Sequence, residues 1–370
     1  MTRRPRIAVD ATVLSNRVKG AGRVVRNLIP ALATIDPDST YVVLTTEAGA
    51  EKLDQVTTKF EVALVPPMRG IQWELTGLNR SARRCGADLA LTFREFVGFG
   101  APPIVMHVFE PPAHRLQFAE SRRSIKHVAK DRFLHLSMKG SIRRAAAVTA
   151  GSESTAVWYR QNHGIDPAVI HPGIDEQFLM ETALVETTDR APYFLHLASG
   201  DTRDNTDLVL EAFARLGHQA TTIRMVGVPD NLRAVIQRRS RELGIAGQVH
   251  VEGWVSDARL RDLYGRAEAL IHPSSHEGFC GYPSLEAMAM GTPVVALASP
   301  GAEALAGRAL LIDRPNPELL ANALLEIIDK HSGWPTIAQR AQVWARSLTW
   351  EATATQFVSV FRRVLKIASS

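Results

Sequence analysis

Residues 271–298, IHPSSHEGFCGYPSLEAMAMGTPVVALA, constrain the fold more than any other part of the chain. Ala269–Leu270–Ile271 is an apolar run of the length of a buried strand. His272 to Tyr282 is a loop with two glycines, Ser274, Ser275, Cys280 and one carboxylate, Glu277. Pro283 suits a first helical position, and Leu285 to Met290 are helix formers. Gly291 stops that helix, Pro293 bars its continuation, and Val294–Val295–Ala296–Leu297 is a second buried strand. A loop entering a helix N-terminus offers backbone N–H groups and the positive end of the helix dipole, which suits an anion such as a diphosphate. The pattern places Glu286 on the first helical turn, where a carboxylate accepts hydrogen bonds from sugar hydroxyls.

The segment Glu277–Gly278–Phe279–Cys280–Gly281–Tyr282–Pro283–Ser284–Leu285–Glu286–Ala287–Met288–Ala289–Met290–Gly291–Thr292–Pro293–Val294–Val295 resembles the family 4 retaining glycosyltransferases. These are two-domain GT-B enzymes that use nucleotide-sugar donors, with the pattern E-G-F-G-x-P-x-x-E-A-M-A-x-G-x-P-V-V. One departure stands out. The family places seven residues between its two glutamates, and here eight separate Glu277 from Glu286. The extra residue falls near Cys280, in the loop, which absorbs an insertion more easily than a helix does.

A chain of 370 residues exceeds what one core ordinarily organises, so two domains are expected. No apolar run approaches the ~20 residues of a membrane span. The opening segment IAVDATVL is too broken by Asp10 and Thr12 for a signal peptide, and Cys85 and Cys280 make neither a disulfide framework nor a zinc site. A cytoplasmic protein is expected, with peripheral contact at the inner membrane face as a variant. Charge is uneven. Residues 1–176 carry 24 Lys/Arg against 17 Asp/Glu, and residues 177–370 carry 19 against 21. The first part is therefore the one suited to an anionic partner.

Arg6 to Ala11 is a strand, followed by Gly20–Ala21–Gly22–Arg23 and the helical pattern Val24, Val25, Leu28, Ile29, Leu32. This is a βα turn of a doubly wound domain. Gly20, Gly22 and Arg23 either approach donor phosphates, as the resemblance implies, or form a tight turn with a solvated arginine. Further strands are expected at Tyr41–Thr45, Val62–Val65, Asp88–Thr92, Pro103–His107 and Ala145–Ala150, and Ser152–Glu153–Ser154 reads as a helix cap. His107 ends its strand, where open α/β sheets place ligands. A lone histidine is usually structural, but the resemblance implies contact with the transferred sugar. Arg80, Arg83 and Arg84 fall on a helix beginning near Trp73. Residues 115–144 hold nine Lys/Arg, among them Arg122, Arg123, Lys126 and Lys130, against Glu120 and Asp131. They form a solvated helical face, or they meet a phosphate-bearing acceptor or an anionic membrane surface. No nucleic-acid-binding module accompanies this charge.

Val169 to Asp175 resembles the family segment before the interdomain linker, which Met180 to Arg190 fits. After the strand Tyr193 to Ala198, the family carries a diphosphate-binding lysine, and here Asp204 stands in its place, beside Arg203. A carboxylate repels a diphosphate, so Asp204 is expected to point away and cap the following helix, leaving Arg203 to supply the charge. Val249 to Asp257 resembles the family loop that contacts the nucleobase, which implicates Val255 and Asp257. A plain helix cap by Ser256 or Asp257 is an equal reading.

These readings converge on an α/β chain with GT-B architecture, two doubly wound Rossmann-like domains facing across a cleft. The expected division is 1–176, 177–350 and a helix 351–370 returning to the first domain. The resemblance implies a retaining glycosyltransferase moving a sugar from a nucleoside diphosphate sugar to a glycan, lipid-linked or small-molecule hydroxyl, without metal or other cofactor. It assigns His107 and Glu277 to the transferred sugar, with Gly278 and Phe279, and it assigns Leu285 and Glu286 to the donor. Open alternatives are another GT-B enzyme such as a nucleotide-sugar epimerase, a glycogen- or sucrose-type transferase, and a non-catalytic partner of an active enzyme.

Overall fold

The computed structural model describes residues 3–15, 20–53, 60–67, 72–100, 102–111, 137–180, 193–217, 221–276, 278–329 and 333–369. The linker residues 181–190, the basic residues Arg115 to Arg132, and Glu277 lie outside these. The chain divides into two compact units, Met1–Gly173 with Leu348–Ser370, and Ile174–Ser347.

The first unit is built on a parallel sheet of β1 (Arg6–Asp10), β2 (Thr40–Thr45), β3 (Glu61–Leu64), β4 (Leu89–Thr92), β5 (Ile104–Val108), β6 (Ala147–Ala150) and β7 (Ala168–Val169). Their spatial order is β3-β2-β1-β4-β5-β6-β7. β1, β2, β4 and β5 are apolar runs because helices cover both faces of a parallel sheet. α1 (Ala21–Ile35) buries Val24, Val25, Leu28, Ile29 and Leu32, a stripe with helical period. Gly20, with φ +41°, makes the turn into it. α2 (Leu78–Arg84) continues a π-helical turn, Trp73–Gly77. Ser152 caps the helix Glu153–His163 by accepting from the Thr155 amide at 3.3 Å.

The second unit has the same plan. β8 (Tyr193–Leu197), β9 (Thr222–Val226), β10 (Val249–Val251), β11 (Ala269–His272), β12 (Val294–Leu297) and β13 (Leu310–Ile312) lie in the order β10-β9-β8-β11-β12-β13. All registered pairs in both sheets are parallel. α3 (Tyr282–Ala289) joins β11 to β12 and is buried on nearly all sides. Its C-terminal carbonyl at Ala289 accepts from Gln342 Nε2 at 3.2 Å and Arg346 Nε at 3.1 Å of α4 (Trp334–Ser347). A cation there also suits the negative end of the helix dipole.

α5 (Trp350–Ser369) belongs to the first unit, where it packs against α1. Trp350, Ala354, Phe357, Val358, Phe361 and Val364 are its buried stripe. Gly173 lies where α5 begins. A Cβ there would stand 2.6 Å from the Trp350 amide nitrogen, so the position admits no side chain.

Candidate active site

In both units the chain reverses direction across the sheet at one point, between β1 and β4 and between β8 and β11. Open α/β sheets bind ligands at the carboxyl ends of the strands beside such a switch.

In the first unit that edge is organised by Asp10, a residue the sequence reading did not single out. It is 3% exposed at the end of β1. Its Oδ1 accepts from the Thr12 amide at 3.1 Å and the Thr12 hydroxyl at 2.7 Å. Its Oδ2 accepts from Trp73 Nε1 at 3.0 Å and Thr92 Oγ1 at 3.1 Å, and Arg94 Nε stands 3.6 Å away. A buried carboxylate is retained when hydrogen bonds and a cation compensate it, as here. Arg94 Nη1 also reaches Glu74 at 3.4 Å. Burial pushes the Glu74 carboxyl up to about 7, against the opposing pull of Arg94. The sequence signal for Asp10 was an acid ending an otherwise apolar strand.

His107, one strand farther along, is 2% exposed. Its Nδ1 lies 2.9 Å from Thr149 Oγ1 on β6. Phe93, Phe109 and Phe357 meet the ring edge-on at centroid distances of 5.7, 4.9 and 5.2 Å. Burial among these rings pushes its pKa down to about 3, so the imidazole is neutral at ordinary pH. Gly20 is the residue before α1, Gly22 is buried in its first turn, and Arg23 is half-buried there.

The second unit carries the segment 271–298. Glu286 is 2% exposed, and its Oε2 accepts from the Tyr264 hydroxyl at 2.8 Å. α3 begins at Tyr282, so Glu286 stands in its second turn rather than its first. The sequence reading started the helix at Pro283, which is the second helical residue. Leu285 is buried beside Glu286 and holds the helix to the core. His272, at the end of β11, has Nδ1 2.8 Å from Ser284 Oγ, tying strand to helix.

The loop before α3 turns tightly at Cys280. The Cys280 amide donates to Gly301 O at 2.7 Å, and the Gly281 amide turns back to Phe279 O. Cys280 has φ +21° and Gly281 φ +77°. These two amides are thereby used within the protein. Phe279 packs on Trp344 of α4 at 6.2 Å between centroids, and Gly278 precedes it on the same loop.

The loop after β8 corrects the expectation for Asp204. It does not cap the helix Thr206–Arg215, whose preceding residue Asn205 is left-handed, with φ +50°. Instead Asp204 Oδ2 accepts from the Ser199 amide at 2.7 Å and the Ser199 hydroxyl at 2.9 Å, closing the turn on itself. Burial raises its pKa, opposed by those two bonds. Arg203 makes a two-pronged ion pair with Asp201, Nε at 3.1 Å and Nη2 at 2.9 Å. The loop is pinned to its neighbour by Asn205 Nδ2, which donates to Pro273 O at 2.7 Å and Ser275 Oγ at 3.0 Å, and by Ser275 N to Arg203 O at 3.1 Å. Ser299 Oγ, after β12, donates to Ser274 O at 2.9 Å. Three loops at the carboxyl ends of β8, β11 and β12 therefore form one cross-linked rim.

Under that rim His196 is fully buried, its Nδ1 2.9 Å from Ile271 O and its Nε2 3.2 Å from Thr206 Oγ1. Burial pushes its pKa down to about 4. After the carboxyl end of β10, Ser256 caps the helix Asp257–Arg266 through the Arg259 amide. Asp257 is thus the first helical residue and exposed, with Val255 half-buried before it. Among the described residues, no group of three or more His, Cys, Asp or Glu is placed to hold a metal ion.

Residues 191–330 match the family profile described as Glycosyl transferases group 1. The chain is similar to the D-inositol 3-phosphate glycosyltransferase of Corynebacterium urealyticum, 32% identical over 130 residues, which are 34% of this chain and 30% of that protein. A protein of the same name from a Nocardioides species is 28% identical over 251 residues, 60% of this chain and 54% of its own. The match thus spans between about a third and about half of these relatives' length. Similarity of structure runs along nearly the whole chain. Sucrose-phosphate synthase from Thermosynechococcus elongatus superposes with a TM-score of 0.77 at 18% identity, covering 99% of this chain and 100% of that one. Anabaena Alr3699/HepE, solved in complex with UDP-glucose, superposes with a TM-score of 0.71 at 18% identity, covering 97% and 99%.

The fold is GT-B. The match to the glycosyl transferases group 1 profile, residues 191–330, lies within its second unit. Among the described residues, no helix is long and apolar enough to cross a membrane.

Proposed function

We propose that this GT-B protein transfers a sugar from a nucleoside diphosphate sugar to an acceptor hydroxyl, with retention at the anomeric carbon and without a metal ion. The observation that carries this reading is Glu286, a buried carboxylate held by Tyr264 on α3 at the β8/β11 switch point of a group 1 domain. Structural neighbours were solved with UDP and UDP-glucose, which supports the donor class.

In this reading Glu286 accepts hydrogen bonds from the ribose hydroxyls, and Val255 and Asp257 border the nucleobase. Arg203 and the α3 N-terminus neutralise the diphosphate. Glu277 and the backbone of Gly278 and Phe279 hold the transferred sugar. The acceptor oxygen bonds to the anomeric carbon on the face from which the phosphate leaves, and the acceptor proton passes to the departing phosphate oxygen. No carboxylate pair is then needed for a double displacement. The acceptor is a glycan, lipid-linked or small-molecule alcohol, and the positive first unit favours one bearing phosphate.

The test is release of nucleoside diphosphate from a panel of nucleotide sugars, with and without a chelator. Activity that survives chelation and is abolished in Glu286→Ala, with donor binding lost and folding retained, is the expected result. A second reading has its own observations, since Asp204 replaces the family lysine and Arg203 is paired with Asp201. It is a non-catalytic partner subunit, for which no nucleotide sugar would bind or turn over.

A further inference from the structure

The loop between β4 and β5 carries Phe99 into solvent, 73% exposed. That exposure is built in. The Phe99 carbonyl accepts from Asn79 Nδ2 of α2 at 2.6 Å. The Val97 amide donates to Ser141 Oγ at 3.0 Å, and the Val97 carbonyl accepts from Arg144 Nε at 2.6 Å. A Cβ on Gly98 would stand 2.1 Å from the Leu75 carbonyl oxygen, so the loop lies flat against the π-helical turn. Clamped from two sides, the loop has no slack with which to fold Phe99 inward. Leu75, on that same turn, is 40% exposed.

Two cations stand at the Phe99 loop. The Arg144 guanidinium lies 4.4 Å over it. Arg83 comes within 3.8 Å of the Cβ position of Gly100. Arg80 precedes Arg83 and Arg84 by three and four residues on α2, hence on one helical face. All three are exposed. Among the described residues, none of Arg80, Arg83, Arg84 and Arg144 is paired with a carboxylate, whereas many arginines of the second unit are. The first part of the chain also carries the whole net positive charge.

We infer that Phe99 and the arginines around it form a docking surface for an anionic lipid bilayer. A protein interface of useful size has a contiguous apolar centre within a polar rim. This surface is the reverse, one aromatic wedge and a leucine within a field of unpaired cations on long stems. That composition matches the headgroup region, where an aromatic ring enters the acyl boundary and arginines meet lipid phosphates. The inference is independent of the transfer reaction.

Flotation of the full chain with vesicles tests it, comparing phosphatidylcholine alone with equal parts phosphatidylcholine and phosphatidylglycerol. Wild type should float with the anionic vesicles at low salt and be released by high salt. Each basic residue near such a surface multiplies partitioning by about fivefold, so the Arg80→Ala/Arg83→Ala/Arg84→Ala variant should bind about a hundredfold more weakly. Phe99→Ser should lose about tenfold or more. The melting temperature should hold in both, because these side chains are exposed. Wild type that ignores anionic vesicles overturns the inference, and its Phe99-dependent retention on polyglutamate instead would assign the surface to an acidic protein. Variants that float as well as wild type also overturn it, by placing the contact elsewhere in the chain.

Discussion

The Tyr264–Glu286 bond can be broken almost without touching anything else. Tyr264 is fully buried at the end of the helix Asp257–Arg266. Tyr264→Phe keeps the ring and so keeps the edge-on packing against Phe178 at 6.1 Å. It also keeps the carbonyl that accepts from Thr292 Oγ1 at 2.6 Å. What goes is the hydroxyl that donates to Glu286 Oε2 at 2.8 Å. A hydrogen bond to a charged group contributes roughly 1.5–3 kcal/mol, and a buried carboxylate deprived of a donor cannot recover it from water. Urea unfolding should therefore show a loss of about 1.5–3 kcal/mol at pH 7. The donor effect follows from geometry. If Glu286 holds ribose, loosening its carboxylate should weaken donor binding by about tenfold, as roughly 1.4 kcal/mol is one decade. Because the ribose is remote from the bond that breaks, KM for the donor should rise while kcat stays within a factor of two or three. Calorimetric titration with the nucleotide sugar selected by the donor panel, and steady-state kinetics, measure this. Unchanged stability together with unchanged donor affinity would refute the assignment of Glu286. A fall in kcat with donor affinity intact would move Glu286 from the ribose to the reacting sugar.

Two further predictions concern His107 and Asp204. His107 is held at about pKa 3, below its usual value near 6.5, so the unfolded chain binds the proton first. Its contribution is complete above pH 6.5 and lost as pH falls toward 3, at about 1.4 kcal/mol per pH unit, and unfolding between pH 7 and pH 5 should show it. His107→Phe should roughly halve the slope there, because His196, held at about 4, contributes nearly as much over the same range, and an unaltered slope would contradict the buried neutral histidine. Asp204→Ala should loosen the turn after β8 by about 0.5–1.5 kcal/mol, through the acceptor lost to Ser199. It should bind a nucleoside diphosphate as well as wild type does or better, and weaker binding would show that Asp204 touches the donor.

The sheets and the central motif were legible because parallel strands buried on both faces read as plain apolar runs. Strands at Arg6, Tyr41, Tyr193, Thr222, Ala269 and Val294 needed no more than that. β7 and β13 are short edge strands of two and three residues, too brief for a periodic signal, and β13 was not anticipated. The site was less legible than the fold because its geometry depends on contacts between distant residues. Nothing near Glu286 in the sequence announces Tyr264, 22 positions away. Asp10 gathers partners from positions 12, 73, 92 and 94. The surroundings of His107 include Phe357 from the final helix. Asp204 was misplaced for a local reason. Helix-capping preference names residue types, but Asn205 in the left-handed region turns the chain between Asp204 and the helix and hands the carboxylate to Ser199.

That arrangement bears on how the rim could meet a diphosphate without the family lysine. Asp204 and Arg203 both have partners, but these are of unequal strength. The Asp204 bonds close a backbone turn that Asn205 and Ser275 pin to the next loop, so releasing that carboxylate would loosen the rim itself. The Arg203–Asp201 pair spans two positions of one turn, and its side chains are 36% and 38% exposed. Ion pairs at that exposure contribute about 0.2–1 kcal/mol. A guanidinium binds phosphate oxygens by the same two-pronged geometry it uses for a carboxylate. Exchanging Asp201 for a doubly charged diphosphate would therefore cost little and gain more. Asp201 in this view holds Arg203 in an extended, ready position. Asp204 is turned onto Ser199, whose two donors offset part of its charge.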